Sequence, residues 1–215
     1  MPLLDTHIKS FGCDIRLWQL DEPSAMLYNM LLPYLTSREK TEYNNISNEK
    51  RRKEWAATRL LSIEMLGTHQ SITYNSKGKP EIAGQAGISI SHTNGMVALM
   101  TSSEKNNIGI DIEQKTQRIT KISHKFLTEI ELSGSLSNNL SYLYIQWCAK
   151  EAMYKAVNTD NYDYQNTYTL PGFQYNEEPS GKILGRITFL DGNTQHINVE
   201  YTTIGQYIMC MAIQN

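Results

Sequence analysis

The sequence has few cysteines, no excess of positive charge and no long apolar run. Its three cysteines, Cys13, Cys148 and Cys210, lie far apart without metal-binding or redox spacing, so we expect reduced thiols. The net charge of −2 does not favour a nucleic-acid binder, which usually carries a basic excess. No apolar stretch approaches the length that spans a bilayer, and residues 1–7 do not resemble a signal peptide. These absences predict a soluble, cytoplasmic protein.

Length and composition are those of an ordinary globular protein. The 215 residues, 40% of them hydrophobic and 20% charged, can bury a sizeable core as one large domain or two small lobes. Apolar residues at helical spacing predict helices over 24–35, 49–66 and 140–157, and the cap residues Thr36-Ser37 predict another helix from Arg38 onward. Alternating or continuous apolar runs predict strands over 13–20, 87–91, 96–101, 108–113, 183–189, 197–202 and 207–213.

The most informative stretch is 108–113, where isoleucines alternate with Gly109, Asp111 and Glu113. This is the period of a half-buried strand, so Asp111 and Glu113 project from the same face. Two carboxylates on a rigid strand suit a hard cation such as Mg²⁺, which prefers oxygen ligands. A strand with a solvated acidic face has the same pattern, so these six residues alone leave both interpretations open. We expect this strand to follow two neighbouring antiparallel strands.

The predicted helix over 140–157 carries Trp147, Glu151 and Lys155 at spacings i, i+4 and i+8, so they stack along one face. Lys150 flanks that row. A core tryptophan beside a surface ion pair between Glu151 and Lys155 is enough to explain the spacing.

Three features of the first half indicate either a phosphate site or an ordinary surface. The run 50–53 is basic throughout, which is typical of a solvated helix face. Lys79 lies in a turn that contains glycine and proline, where a lysine is a loop charge or a phosphate contact. His92 is placed at a turn between two predicted strands, and a lone turn histidine is usually a surface residue.

Five short motifs, taken together, favour a functional interpretation of these features over an ordinary structural one. They read Gly78-Lys-Pro80, Ile90-Ser-His-Thr93, Ile108-Gly-Ile-Asp-Ile-Glu113, Phe126-Leu-Thr-Glu-Ile-Glu131 and Trp147-Cys-Ala-Lys-Glu-Ala-Met-Tyr-Lys155. In this order and spacing they resemble the motifs of the 4′-phosphopantetheinyl transferases, of the larger single-chain type that activates peptide synthetases. The resemblance covers roughly residues 77–156.

The resemblance implies a holo-[acyl-carrier-protein] synthase type of activity, in which the phosphopantetheine arm of coenzyme A is transferred to a serine hydroxyl of an apo acyl or peptidyl carrier protein. It also implies an α+β fold with two similar lobes related by a pseudo-twofold axis, each a small antiparallel sheet with packed helices. The lobes are expected at 1–113 and 114–215, with the cofactor in the cleft between them. Two lobes in one chain make a monomer sufficient.

The resemblance also implies roles for individual residues. Asp111, Glu113 and Glu151 would hold Mg²⁺; Asp111, Glu151 and Lys155 would be catalytic, with Glu151 as a candidate general base and Lys155 neutralising the transferring phosphate. The expected coenzyme A contacts are Lys40, Arg52, Lys79, Ser91, His92, Lys150 and Lys155. The nearest candidates for carrier docking are the predicted helix 126–132 and the loop 133–139.

Two other functions fit parts of this pattern. One is a catalytically silent relative that binds coenzyme A or a carrier protein. The other is a different Mg²⁺-dependent enzyme of phosphoryl chemistry, such as a nuclease or nucleotide hydrolase; the charge balance gives no basic track for nucleic acid.

Overall fold

The described part of the chain forms two compact units, Met1–Glu104 and Lys105–Asn215. The computed structural model describes residues 3–105, 107–133, 136–157, 159 and 163–214, with the backbone alone for residues 3–7. Among these residues, no helix has both the length and the apolar character that crossing a membrane requires.

The first unit contains helices and two antiparallel sheets. Its strands are β1 (Leu3–Ser10), β2 (Cys13–Gln19), β3 (Thr73–Tyr74), β4 (Pro80–Glu81), β5 (Gly87–Thr93) and β6 (Met96–Ser102), and its helices are α1 (Ser24–Leu31), α2 (Ser37–Asn45) and α3 (Glu49–Leu66). The larger sheet has the order β1-β2-β6-β5, and β3 pairs with β4. Helix α3 begins at an Asn48 side-chain cap and ends at Gly67 with φ 67°, a left-handed conformation that favours glycine.

The second unit is built around one long helix and one five-stranded antiparallel sheet. Its strands are β7 (Ile108–Gln114), β8 (Tyr168–Thr169), β9 (Ser180–Thr188), β10 (Thr194–Ile204) and β11 (Tyr207–Ile213), and its helices are α4 (Arg118–Ile122), α5 (Glu129–Leu132), α6 (Leu140–Ala156) and α7 (Tyr164–Thr167). A 3₁₀ turn, Ser123–Lys125, follows α4. The sheet order is β7-β11-β10-β9-β8.

Helix α6 approaches β7 closely because Gly109 has no side chain. A Cβ atom at this position would lie 1.9 Å from the Ala152 carbonyl oxygen and 2.7 Å from the Ala156 nitrogen. These are backbone atoms, so only glycine permits this distance without moving the helix. The short separation brings the side chains of α6 and β7 within contact of one another.

The prediction of a mixed α+β protein with antiparallel sheets is confirmed. The helices predicted over 49–66 and 140–157 are present, as is the strand over 207–213. The helix predicted over 24–35 ends early, at Leu31, because Pro33 has no backbone N–H with which to continue the helical hydrogen bonds. The pseudo-twofold relation of two lobes stays a prediction.

The prediction that β7 follows β5 and β6 as a neighbouring strand was wrong. Strands β5 and β6 do pair, but β7 pairs with β11, with Asp111 opposite Cys210. The two compact units consequently divide after Glu104, before β7, whereas the sequence placed the division after Glu113. The long-range pairing with β11 has no local signal in the sequence of β7.

The position of His92 also differs from the prediction. His92 lies within β5, opposite Val97, and the turn is formed by Asn94 and Gly95. Gly95 has φ 79°, as a tight hairpin turn requires. The strand therefore extends beyond Ser91.

Candidate functional site

Strand β7 and helix α6 together form an acidic centre with one lysine. The Lys155 ammonium donates to Asp111 Oδ1 at 2.7 Å and to the Ile110 carbonyl at 3.0 Å. Asp111 is only 5% exposed, and a buried carboxylate requires such a charged partner. Strand β7 is buried on both faces from Ile108 to Ile112, whereas the alternation had predicted a half-buried strand. The acidic face of β7 is thus not a solvated one at Asp111.

Glu151 lies one turn before Lys155 and has a different partner. The Tyr164 hydroxyl, at the start of α7, donates to Glu151 Oε1 at 2.7 Å. Burial raises the pKa of Glu151, and the neighbouring charges of Asp111 and Glu113 raise it further, while the Tyr164 bond and Lys155 oppose this effect. The three predicted acids therefore lie close enough to influence one another's ionisation.

Glu113, at the end of β7, completes the acidic centre. Its Oε1 accepts a hydrogen bond from the Trp147 indole N–H at 3.3 Å. The Trp147 ring packs edge-on against Phe126 with centroids 5.1 Å apart and lies 6.1 Å from the ring of Tyr164. These aromatic rings therefore lie beside the carboxylates. Their packing restricts the rotamers of Trp147 and Tyr164, which donate hydrogen bonds to Glu113 and Glu151.

The donor set of the acidic centre is that of a hard cation. Asp111, Glu113 and Glu151 offer only oxygen atoms, and their three negative charges exceed the single positive charge of Lys155 by two, which is the charge of one Mg²⁺. Among the residues that the structure describes, no three or more Asp, Glu, His or Cys side chains lie together in a way that could hold a metal ion. The carboxylates accept bonds from Lys155, Trp147 and Tyr164.

Lys150, expected at the cofactor, has an interior position. It is fully buried, and its ammonium donates to the Phe126 carbonyl at 2.6 Å and to Glu131 Oε2 at 2.8 Å. Burial lowers the pKa of Lys150, and Glu131 opposes this shift. Glu131 also closes a capping box with Thr128 at the start of α5. Lys150 therefore anchors α5, and we do not include it among the proposed cofactor contacts.

The predicted helix 126–132 is shorter in the structure and only partly a surface. Phe126 and Leu127 are each 1% exposed, while Ile130 is 86% exposed. Of the apolar residues in this segment, Ile130 is the one that is largely exposed.

In the first unit, α3 and β5 bring together a histidine, an arginine and a glutamate. Arg51 Nη1 lies 2.8 Å from His92 Nε2 and 3.0 Å from Glu54 Oε2. Because arginine only donates, His92 Nε2 accepts, which leaves the ring proton on Nδ1 facing Glu54 at 3.6 Å. A cavity of about 300 Å³ lies here, lined among others by Arg51, Arg59, Tyr74 and His92.

The other site residues that the sequence predicts in the first unit lie on different elements. Arg52 donates to the Ile46 carbonyl and lies over the Tyr43 ring at 5.6 Å. Ser91 is buried on β5, next to His92. Lys79 is half-buried in the turn that Gly78 makes possible with φ 77°, and burial lowers its pKa. Lys40 lies on α2, where among the described residues its ammonium has no ion-pair partner.

Comparison with known families gives a match to the part of the chain that carries the acidic centre. Residues 107–212 match the model of the 4′-phosphopantetheinyl transferase superfamily. No curated protein matches the chain. The matched segment lies within the second unit and contains β7 and α6, hence the complete acidic centre. The match supports phosphopantetheinyl transfer as the activity of this domain and does not extend to the first unit.

Three contact residues of the described sites escaped the sequence analysis. Tyr164 belongs to none of the five motifs, although a tyrosine near a predicted site is a signal for a polar contact. Arg51 was hidden within the basic run, and Glu54 was not distinguished from the other charges of α3. Helical spacing alone could have placed Arg51 and Glu54 on adjacent turns.

Proposed function

We propose that the protein transfers the 4′-phosphopantetheine arm of coenzyme A to a serine hydroxyl of an apo carrier protein, releasing 3′,5′-ADP. The observation that carries the proposal is the acidic centre of Asp111, Glu151 and Lys155 within the segment matched by the transferase model. The larger, single-chain subtype is part of this proposal, as are the acyl or peptidyl carrier partner, a monomeric state and a cytoplasmic location.

The reaction defines what this centre has to do. The serine oxygen attacks the β-phosphorus of coenzyme A, the bond from this phosphorus to the oxygen bridging the α-phosphate breaks, and the electron pair leaves with 3′,5′-ADP. We assign the serine proton to the Glu151 carboxylate, which is half-buried near Asp111 and Lys155. We assign neutralisation of the transferring phosphate to Lys155.

The proposed metal ligands are Asp111, Glu113 and Glu151. Mg²⁺ bound there would supply positive charge to the two phosphates. The excess of two negative charges and the unfavourable burial of Glu151 beside two other carboxylates support this assignment, because a divalent cation relieves both.

We propose that the first unit contributes the contacts to the 3′-phosphate. The candidates are Lys40, Arg52, Lys79, Ser91 and His92. Arg51 joins them because it contacts His92 directly and lines the same cavity. Guanidinium and imidazole N–H groups make strong charge-assisted bonds to phosphate.

Intact-mass spectrometry tests the proposed function. An apo acyl carrier protein incubated with this protein, coenzyme A and Mg²⁺ is expected to gain the mass of the phosphopantetheine arm, and EDTA should abolish the gain. No gain with any of several acyl and peptidyl carriers, despite coenzyme A binding, would replace the proposal with the silent relative. Release of 3′,5′-ADP without a carrier would indicate hydrolysis.

Asp111→Asn tests the centre itself. The amide keeps the size of the side chain but removes the charge that pairs with Lys155, so we expect transfer to fall by about 10²–10³-fold, with an unchanged circular dichroism spectrum. Asp191→Asn is the matched control, since Asp191 is exposed in the turn between β9 and β10. Transfer within twofold of wild type in Asp111→Asn would refute the assignment.

A further inference from the structure

The hydroxyl of Tyr164 makes the shortest described contact to Glu151. It donates to Oε1 at 2.7 Å, and among the described residues it is the one hydrogen-bond donor to this carboxylate. The second oxygen, Oε2, has no hydrogen-bond partner in the described part of the chain. One oxygen of Glu151 is therefore held by the protein, and the other is left for a ligand.

The fold holds Tyr164 in place from several sides. Its ring lies 5.4 Å from that of Tyr168 and 6.1 Å from that of Trp147. The next residue, Gln165, donates to the His124 and Leu127 carbonyls at 2.5 and 2.8 Å, which ties α7 to the segment before α5. The hydroxyl is consequently fixed relative to α6, as a positioning group must be.

A glutamate on a helix needs such a restraint. Its carboxylate turns about three side-chain bonds, and each rotamer moves the oxygen atoms by ångströms. Fixing Oε1 selects one rotamer and hence one direction for Oε2. Donors behind a ligating carboxylate or imidazole orient it, and their loss typically lowers metal affinity or activity 10- to 100-fold.

We propose that Tyr164 is a positioning residue that orients Glu151, so that its Oε2 faces the proposed Mg²⁺ site. This inference rests on the proposed function of the acidic centre. It assigns a purpose to a tyrosine that the family motifs do not include, and it places α7 in the active site.

Tyr168 provides a matched control within the same segment. Its hydroxyl donates to the Val157 carbonyl at 3.0 Å and lies 3.2 Å from Thr159 Oγ1. Like Tyr164, it is an aromatic residue beside α6 with a hydrogen-bonded hydroxyl, but its bonds are to groups outside the acidic centre. Replacing either tyrosine with phenylalanine removes one hydroxyl and retains the ring packing.

The experiment measures two quantities on Tyr164→Phe, Tyr168→Phe and wild type. The first is kcat and KM for transfer to an apo carrier; the second is Mn²⁺ affinity by electron paramagnetic resonance, with Mn²⁺ as the probe for the Mg²⁺ site. For Tyr164→Phe we expect kcat and Mn²⁺ affinity each to fall about 10-fold or more, with KM for coenzyme A within twofold. Tyr168→Phe should stay within twofold of wild type in all of them.

A second variant keeps the test decisive if Tyr164→Phe is unstable. Glu151→Asp retains the charge but withdraws the carboxylate from the Tyr164 hydroxyl, so we expect the same loss of Mn²⁺ affinity, and Tyr164→Phe should add nothing in the Glu151→Asp background. Additive losses in the double variant, or equal losses in the two phenylalanine variants, would overturn the proposal. Wild-type transfer tests the proposed function separately, because the ratio of Mn²⁺ affinities is measured without turnover.

Discussion

The acidic centre of the second unit differs from the basic cluster of the first unit, in which Lys50, Arg51 and His92 surround Glu54. The difference lies in how the side chains are positioned. Asp111 has a short side chain on a strand that packs in backbone contact with α6, so the backbone largely determines where its carboxylate lies, and the Tyr164 hydroxyl holds the carboxylate of Glu151. The basic cluster is built from long side chains on the surface of α3. There, Glu54 is approached by Lys50 at 3.8 Å, by Arg51 at 3.0 Å and by His92 at 3.6 Å.

The comparison teaches which functional residues a sequence motif can place. Spacing on a packed strand and helix determines the direction of a short carboxylate. A run of four cations on an exposed helix does not determine which of them turns toward a neighbour, since each has several rotatable bonds. Lys150 and Lys155 lie on one helix, but Lys150 is fully buried and Lys155 is partly exposed. The motif alone does not distinguish these two environments.

The largest expected effect separates those two lysines. Lys150→Met removes the fully buried ammonium that pairs with Glu131 and bonds the Phe126 carbonyl, so we expect the free energy of unfolding to fall by about 3–5 kcal/mol. Lys155→Met, at a partly exposed pair, should cost less stability but more transfer. Urea denaturation and the mass assay measure the two effects. If Lys155→Met were the less stable variant, the proposed division between a structural Lys150 and a functional Lys155 would be wrong.

A somewhat smaller effect is expected where α6 meets β7. In Gly109→Ala the new Cβ would meet backbone atoms of α6, and the helix must shift, so we expect a loss of about 3 kcal/mol in unfolding free energy and a loss of transfer. Gly181→Ala is the control, because its Cβ would meet the Tyr201 side chain, which has a rotatable bond. Equal stability losses in urea denaturation would show that close backbone contact does not position the acidic centre.

Much of the local structure could be predicted from the sequence. Helices α3 and α6 were found because their apolar spacing is long and their ends carry signals, Gly67 in one case. The pairing of β7 with β11 could not be predicted, since it joins segments that are far apart in sequence and carry no turn between them. A hairpin such as β5–β6 leaves a local signal, Asn94-Gly95, and its pairing was predicted.

The candidate site also contains some residues that the sequence could place and others that it could not. The family motifs identified Asp111, Glu151 and Lys155, and in the structure Lys155 donates to Asp111 while Glu151 accepts from Tyr164. Motif resemblance also placed Lys150 at the cofactor, because sequence does not reveal that the neighbouring face of α6 is buried against Glu131. Tyr164 was missed because its contact with α6 is a tertiary one that no local sequence pattern encodes.

The smallest expected effect concerns the basic cluster. Arg51→Ala removes the guanidinium that contacts His92 and lines the cavity, whereas Arg52→Ala removes one that is engaged with the Ile46 carbonyl and the Tyr43 ring. Since a charge-assisted bond contributes about 1.5–3 kcal/mol, we expect Arg51→Ala to weaken coenzyme A binding at least about 10-fold and dephospho-coenzyme A binding much less. Arg52→Ala should have the smaller selective effect. Isothermal titration with both ligands measures this difference, and a larger selective loss in Arg52→Ala would show that the motif located the 3′-phosphate contact better than the observed side-chain geometry does.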